Sequence, residues 1–170
     1  MKYKRPIIAT FMALVSTGLF AVDANFGAQG AKDKSELSLD QMLSYAIQDE
    51  YLARSEYESI IESYGNQRPF SNIILAEEKH IAWLLELYAD HGLEPPKDLS
   101  KGHVVLPQTL KIAVETGVQA EVENIAMYQA FLGNAAALPL PADVRDLFEK
   151  LKAASENHLR AFRANLSRYN

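Results

Sequence analysis

A glutamate and a histidine three residues apart, Glu77 and His80, are the first residues in this sequence whose types and spacing indicate chemistry. On an α-helix, such residues differ by about 60° around the axis and about 4.5 Å along it, so both side chains can reach one point. The same helix face carries Ile73, Leu84 and Leu87, which predicts that it is buried. Because a buried charge without a partner is costly, the pair favours a metal ion bound by carboxylate and imidazole.

Similar residues interrupt the apolar stripes of other predicted helices. Glu50 lies near the middle of one stripe, Glu121 near the middle of another, and His158 near the middle of a third. Five polar groups at mid-stripe are better explained by one shared centre than by five independent accidents. The candidate metal ligands are therefore Glu50, Glu77, His80, Glu121 and His158.

Four segments with a helical apolar period must position these residues, and no stretch alternates as a β-strand would. Ser38 and Gln41 form a capping box at the start of the first segment, which ends at Gly65. Ser71 is expected to cap the second helix, and Pro141 is expected at the first position of the last. The predicted helices span residues 38–64, 71–90, 109–132 and 141–166.

The connections between the helices predict how they are arranged. The loops at residues 65–70 and 133–140 are short, and short loops join antiparallel neighbours. The linker at residues 92–108 contains three prolines and is long enough to run back along the whole bundle. We therefore predict an all-α four-helix bundle made of two antiparallel helical hairpins joined by a long crossover.

The amino-terminal residues predict export. Residues 1–24 combine Lys2, Lys4 and Arg5 with an apolar run and a small residue before the cleavage site, as in a signal peptide. A signal anchor that is never cleaved is the alternative. Residues 25–37 show no period and are predicted to be a disordered leader, and residues 38–170 are predicted to be the bundle domain. The expected location is the periplasm or the outside of the cell, without a membrane segment after cleavage.

Charge and cysteine content exclude several classes of function. The formal charge is −5, and cleavage after Ala24 makes it −7, which argues against a nucleic-acid partner. The chain has no cysteine, which excludes disulfides, a cysteine-ligated iron centre and a thiol nucleophile. Redox chemistry would therefore need a metal bound by carboxylate and imidazole. The oligomeric state is left open, with a homodimer as one option.

Four sequence motifs lie on the predicted helices: Asp49-Glu-Tyr-Leu-Ala-Arg54, Phe70-Ser-Asn-Ile73, Glu77-Glu-Lys-His80 and Ser155-Glu-Asn-His-Leu-Arg-Ala-Phe162. Together they resemble the ferritin-like superfamily, in which each of two helices gives a Glu and the other two give Glu-x-x-His. They resemble more narrowly a bacterial and archaeal family known only as a ferritin-like domain of unknown function. The resemblance covers about residues 39–166. It implies a metal site in the bundle core, commonly iron, with manganese or zinc as alternatives.

The resemblance implies that Glu77 bridges two metal positions, with His80 and His158 as ligands on opposite sides. The sequence departs from the ferritin-like pattern where Ser155 stands in place of a carboxylate, and Asn124 stands where some ferritin-like sites have another. Three carboxylates do not neutralise two divalent ions. One ion, or an unequal pair completed by water, therefore remains an alternative to a symmetric di-iron site.

Ordinary structural roles remain open for the same residues. Glu50 could pair with Arg54 one turn later, and Glu77 could face solvent. Glu121 could lie at the surface if Val118, Val122 and Ile125 face inward. Tyr57, Tyr88 and Tyr128 lie on the same stripes and are expected to be core aromatics, with electron transfer or hydrogen bonding at an iron centre as the alternative. His91 and His103 are expected to be surface residues.

Three functions follow from these patterns. The first is an oxidoreductase of di-iron type that oxidises Fe(II) or reacts with O₂ or peroxide. The second is a metal-binding or scavenging module without turnover, which the loss of a ligand at Ser155 favours. The third is a metal-free bundle with an interaction or stress role. The sequence leaves open whether the protein is an enzyme.

Overall fold

The computed structural model describes residues 25–133 and 139–169, and within these ranges the only regular secondary structure is helical. The predicted signal peptide, residues 1–24, lies outside the described residues. No helix in the described ranges is both long and apolar enough to cross a membrane. The described part of the chain contains five α-helices: α1 (Gly27–Ala31), α2 (Leu39–Tyr64), α3 (Phe70–Asp90), α4 (Leu110–Gly133) and α5 (Ala142–Leu166).

Local signals explain where most of the long helices begin and end. The predicted capping box of α2 is present, with the Ser38 side chain accepting from the backbone of Gln41 and the Gln41 side chain accepting from Ser38. Gly65, with φ of 81°, ends that helix. The expected cap at Ser71 is wrong. The carbonyl of Pro69 opens α3 by accepting from the first-turn amides, which places Ser71 inside the helix.

Contacts between helices define the bundle. Helices α2 and α3 are antiparallel neighbours, and so are α4 and α5. Aromatic and polar contacts also pair α2 with α4 and α3 with α5, again in antiparallel order. Helices α3 and α4 must therefore run in the same direction. The connection between them has to return along the length of the bundle, as predicted.

The crossover, residues 91–109, is fastened to α2. Arg54 binds the carboxylate of Asp98 at 2.5 Å, and the hydroxyls of Ser55 and Ser100 lie 2.8 Å apart in the interior. Farther along, the Tyr64 hydroxyl donates to a crossover carbonyl. These bonds hold the long connection on one face of the bundle and leave α2 covered.

The predicted disordered leader is ordered in the structure. Residues 27–31 form α1, which lies across α2 and contacts α4. Phe26, just before α1, and Leu37, six residues after it, are buried, and these two side chains anchor the segment. A helix of five residues is too short to show a period, so the sequence pattern could not reveal it. We call residues 25–37 the amino-terminal strap.

The core consists of two apolar clusters with a polar layer between them. One cluster lies towards the strap and includes Leu43, Leu84, Tyr128 and Phe148. The other lies towards the α2–α3 loop and includes Phe70 and Phe162, among others. Buried acids and histidines occupy the layer between them. The bundle therefore isolates the predicted metal centre from water on both sides along its axis.

Candidate metal centre

The structure brings all five predicted ligands into the buried polar layer. Each helix contributes from near its middle, and each of the five residues is at most 9% exposed. Helices α2 and α4 each contribute one carboxylate, α3 contributes a carboxylate and an imidazole one turn apart, and α5 contributes one imidazole. The residues are Glu50 on α2, Glu77 and His80 on α3, Glu121 on α4 and His158 on α5.

The first group of donors joins α2 and α3. The Nδ1 atom of His80 lies 3.0 Å from Oε2 of Glu50 and 2.9 Å from Oε2 of Glu77. One donor atom from each of the three residues lies within 4.8 Å of the others. We call Glu50, Glu77 and His80 the first trio.

The second group joins α3, α4 and α5. The Nδ1 atom of His158 lies 3.3 Å from Oε1 of Glu77 and 3.4 Å from Oε1 of Glu121. These donors also lie within 4.8 Å of one another, and we call Glu77, Glu121 and His158 the second trio. Glu77 thus uses one carboxylate oxygen in each trio. The two imidazole rings lie on either side of it with their centroids 5.7 Å apart.

Each trio can hold a metal ion. Oxygen and imidazole nitrogen are donors that suit iron, manganese and zinc, and the charged groups are withdrawn from water. A cavity of about 20 Å³ opens among the carboxylates, and Asp49, Glu50, Glu77 and Glu121 help to line it. That volume is about what one water-sized particle needs. The residues present therefore fit the kind of ion that the sequence predicts.

Glu77 is the most acidic of the carboxyl groups in the layer. Burial alone would raise its pKa, but hydrogen bonds from His158 and His80 lower the pKa to about 2. The histidines shift in the opposite direction. Burial opposes their charged form, yet the surrounding carboxylates raise the pKa of His80 to about 9 and that of His158 to about 10. Without a metal, Glu77 is therefore a carboxylate between two imidazolium rings.

The outer carboxyl groups hold protons more strongly. Burial, followed by the charge of Glu77, raises the pKa of Glu50 to about 8. Burial raises the pKa of Glu121 to about 7, against the lowering effect of His158. Since a metal ion needs deprotonated donors, binding must displace the protons that the trios hold.

Two tyrosines fix the outer carboxyl groups by crossed hydrogen bonds. The Tyr128 hydroxyl, on α4, donates to Oε1 of Glu50 on α2 at 2.9 Å. The Tyr57 hydroxyl, on α2, donates to Oε1 of Glu121 on α4 at 3.3 Å. Each helix thus carries a glutamate and, two turns later, the tyrosine that orients the glutamate of the other. The repeated Glu-to-Tyr spacing of seven is the sequence signal that could have indicated these two bonds.

Ser155 and Asn124, where carboxylates were expected, are bonded to each other. The Ser155 hydroxyl donates to Oδ1 of Asn124 at 2.6 Å. The Asn124 amide donates to Oδ2 of Asp49 at 2.6 Å, and the backbone N–H of Ala28 in the strap donates to Oδ1 of Asp49 at 2.7 Å. Burial raises the pKa of Asp49 to about 6. Asp49 carries no signal in the sequence, since it lies about 100° around α2 from Glu50 and therefore outside the apolar stripe.

The structure excludes the surface alternatives for the acidic residues. Glu50 is 3% exposed, and Arg54 instead pairs with Glu58 and Asp98. Glu77 is also 3% exposed. Glu121 is 5% exposed whereas its neighbour Val122 is 38% exposed, so α4 turns its glutamate inward.

The remaining aromatic residues lie outside the two trios. Tyr88 is buried, as expected, with a hydroxyl that has no hydrogen-bond partner. The two histidines assigned to the surface are half-buried: His91 pairs with Asp143, and His103 stacks on Phe26. Trp83, the single tryptophan of the chain, lies with its ring centroid 5.6 Å from that of His80.

Comparison of the chain with protein-family models, with curated proteins and with solved structures finds no match.

Proposed function

We propose that this protein is an exported, ferritin-like metal protein that holds two iron ions side by side in its bundle core and oxidises Fe(II) with O₂ or peroxide. One observation carries the proposal: Glu77 lies between His80 and His158 and faces each through a different carboxylate oxygen. Two donor trios with one shared carboxylate are what a pair of adjacent metal ions requires.

The architecture supports the ferritin-like part of the proposal. Two antiparallel hairpins, a crossover along the bundle and a polar layer at mid-length are the arrangement in which carboxylate-bridged di-iron sites are built. The motif likeness at residues 49–54 and 77–80 points the same way. The iron assignment rests on that likeness and on the oxygen-rich donors, which equally accept manganese.

In this reaction Fe(II) is the substrate and reductant: two Fe(II) ions each give one electron, and O₂ takes both with two protons to form hydrogen peroxide. The protein residues bind, orient and exclude water. Glu77 would fix the spacing of the two ions, while Tyr128 and Tyr57 hold Glu50 and Glu121 in position. The apolar clusters above and below keep bulk water from the layer.

Fe(II) oxidation under air tests this function. The protein should oxidise added Fe(II) faster than buffer does, at a rate that is proportional to protein concentration and saturates with Fe(II) concentration. The Glu77→Gln variant should lose the acceleration, whereas Glu78→Gln, at an exposed position next to it, should retain it. Oxidation no faster than in buffer would contradict the catalytic part of the proposal.

A binding module without turnover is the second candidate. The observation that favours it is the neutral Ser155–Asn124 pair, which replaces charged donors at the second trio. This reading predicts stoichiometric binding of iron, manganese or zinc with no acceleration of Fe(II) oxidation. Metal ions are the proposed partners in either case, and export rests on the signal-like residues 1–24.

A further inference from the structure

Asp49 is a half-buried acid beside the polar layer, and it belongs to neither trio. Asp49 helps to line the small cavity among the ligands, together with Glu77, Glu121 and Ser155. Both of its carboxylate oxygens accept hydrogen bonds, but the donors, Asn124 and the backbone of Ala28, are neutral. A half-buried carboxylate whose bonded partners carry no charge keeps its full negative charge, and a cation nearby would be attracted to it.

The hydrogen bonds that join Asp49 to the second trio have a defined direction. The Ser155 hydroxyl donates to Oδ1 of Asn124 and also lies 3.2 Å from the carbonyl oxygen of Leu151, and the Asn124 amide donates to Oδ2 of Asp49. Because the hydroxyl hydrogen is used in donation to these oxygens, the lone pairs of the Ser155 oxygen are available for a ligand, and Ser155 lines the cavity. Ser155 lies one turn before His158 on α5, so its oxygen and the imidazole share a helix face.

The charge of the centre gives the arrangement a role. Glu50, Glu77 and Glu121 provide three negative charges, whereas two divalent ions bring four positive ones. We propose that Asp49 is a positioning residue for the second trio: it supplies the fourth negative charge and, through Asn124, holds Ser155 with its oxygen directed at the second ion. This inference rests on the proposed two-metal function.

The same inference makes the amino-terminal strap part of the metal centre. Ala28 binds Asp49 directly, and Gly27 is positioned where a Cβ atom would lie 2.5 Å from Oδ1 of Asp49. Gly27 also has φ of 54°, which side chains other than glycine rarely adopt. Glycine is therefore the residue that lets the strap approach the carboxylate closely enough to orient it.

Titration of the purified, metal-free protein with Co(II) tests the proposal, because the visible absorption of Co(II) reports both binding and ligand geometry. The parent should bind two ions in two steps. Asp49→Asn should weaken the second step by about ten- to 100-fold, the range typical of groups that orient metal ligands, and should leave the first step within a few-fold. It should also shift the absorption bands of the second ion.

Two further variants separate orientation from charge. Asn124→Ala keeps the charge of Asp49 but breaks the connection, and the inference predicts that it too weakens the second step and shifts its bands. Glu123→Gln removes a nearby negative charge outside the connection and should leave the spectrum of the second ion unchanged. If Asn124→Ala binds both ions as the parent does, or if Glu123→Gln reproduces Asp49→Asn, the inference is wrong.

A third comparison shows whether Asp49 acts through the second trio and distinguishes that effect from general misfolding. In a Glu121→Gln background, where the second trio is already incomplete, adding Asp49→Asn should change the remaining step little. Gly27→Ala, a substitution outside α2, should also weaken the second step. Unchanged binding would exclude the strap from the centre. If the parent bound no second ion, the two-metal function would be overturned as well. If the parent bound two ions and the variants bound them equally well, this inference alone would be overturned.

Discussion

Replacing Glu77 by glutamine should destabilise the protein even when no metal is present. Glu77 is buried between two imidazolium rings, and its ionised form is stabilised by both. Glutamine has nearly the same shape but no charge. The substitution would therefore leave His80 and His158 with one carboxyl group each, in a layer from which water is excluded.

The pKa of Glu77 gives the size of the effect. The value is about 2 in the folded protein and 4.5 for an ordinary glutamate. Because the folded value is the lower one, the ionised carboxylate stabilises the fold fully above pH 4.5, and this contribution is lost as the pH falls towards 2. At about 1.4 kcal/mol per pKa unit, the free energy of unfolding at pH 7 should fall by about 3 kcal/mol.

Urea denaturation at pH 7 with a chelator present measures this difference. With a slope of about 2 kcal/mol per molar urea, the midpoint should decrease by about 1.5 M. Fluorescence of Trp83 and circular dichroism should report the same transition. Glu78→Gln is the matched control, since the exposed neighbour should leave the midpoint unchanged. A Glu77→Gln variant as stable as the parent would refute the placement of this carboxylate between two charged rings.

Three further predictions test the titration of the site, its packing and its local structure. Zn(II) affinity measured by calorimetry should rise from pH 6 to 8 by at least about tenfold per pH unit at each trio. The ion displaces a proton from His80 or His158, and the protons held by Glu50 and Glu121 add to the slope. A flat profile would contradict the raised pKa values. Gly117→Ala should lower the free energy of unfolding, measured in urea, by about 1–2 kcal/mol. The added Cβ would lie 2.6 Å from the buried ring of Phe162, and the cost of this clash exceeds the gain in helix propensity. Increased stability would show that the ring can move. Ser38→Ala should cost about 1 kcal/mol by the loss of the α2 cap, and an unchanged thermal midpoint would show that this helix end is frayed.

The sequence predicted the long helices well because each carries its own signals. The capping box at Ser38, the glycine at position 65 and the helical period of the stripes are local, and the structure has the corresponding helices within one or two residues. The ends set by proline were shifted: Pro69 and Pro141 each lie just before the first helical residue. Shifts of one or two residues of that kind cannot be seen in the pattern alone.

The candidate site was predictable to the extent that a mid-stripe acid or histidine is anomalous. That anomaly identified Glu50 and Glu121 without any knowledge of what lies opposite them. Asp49 carries no such signal, because its role depends on Asn124 two helices away and on the backbone of Ala28 in the strap. The strap itself was missed, since its two anchoring side chains are too few to produce a period.

Metal content by mass spectrometry, after loading with Fe(II) without oxygen and removal of excess, tests the central claim most directly. The parent should retain two ions per chain, Glu50→Gln and Glu121→Gln about one each, and Glu77→Gln essentially none, because only Glu77 belongs to both trios. Substoichiometric metal in the parent that does not change in Glu77→Gln would contradict a shared two-ion centre.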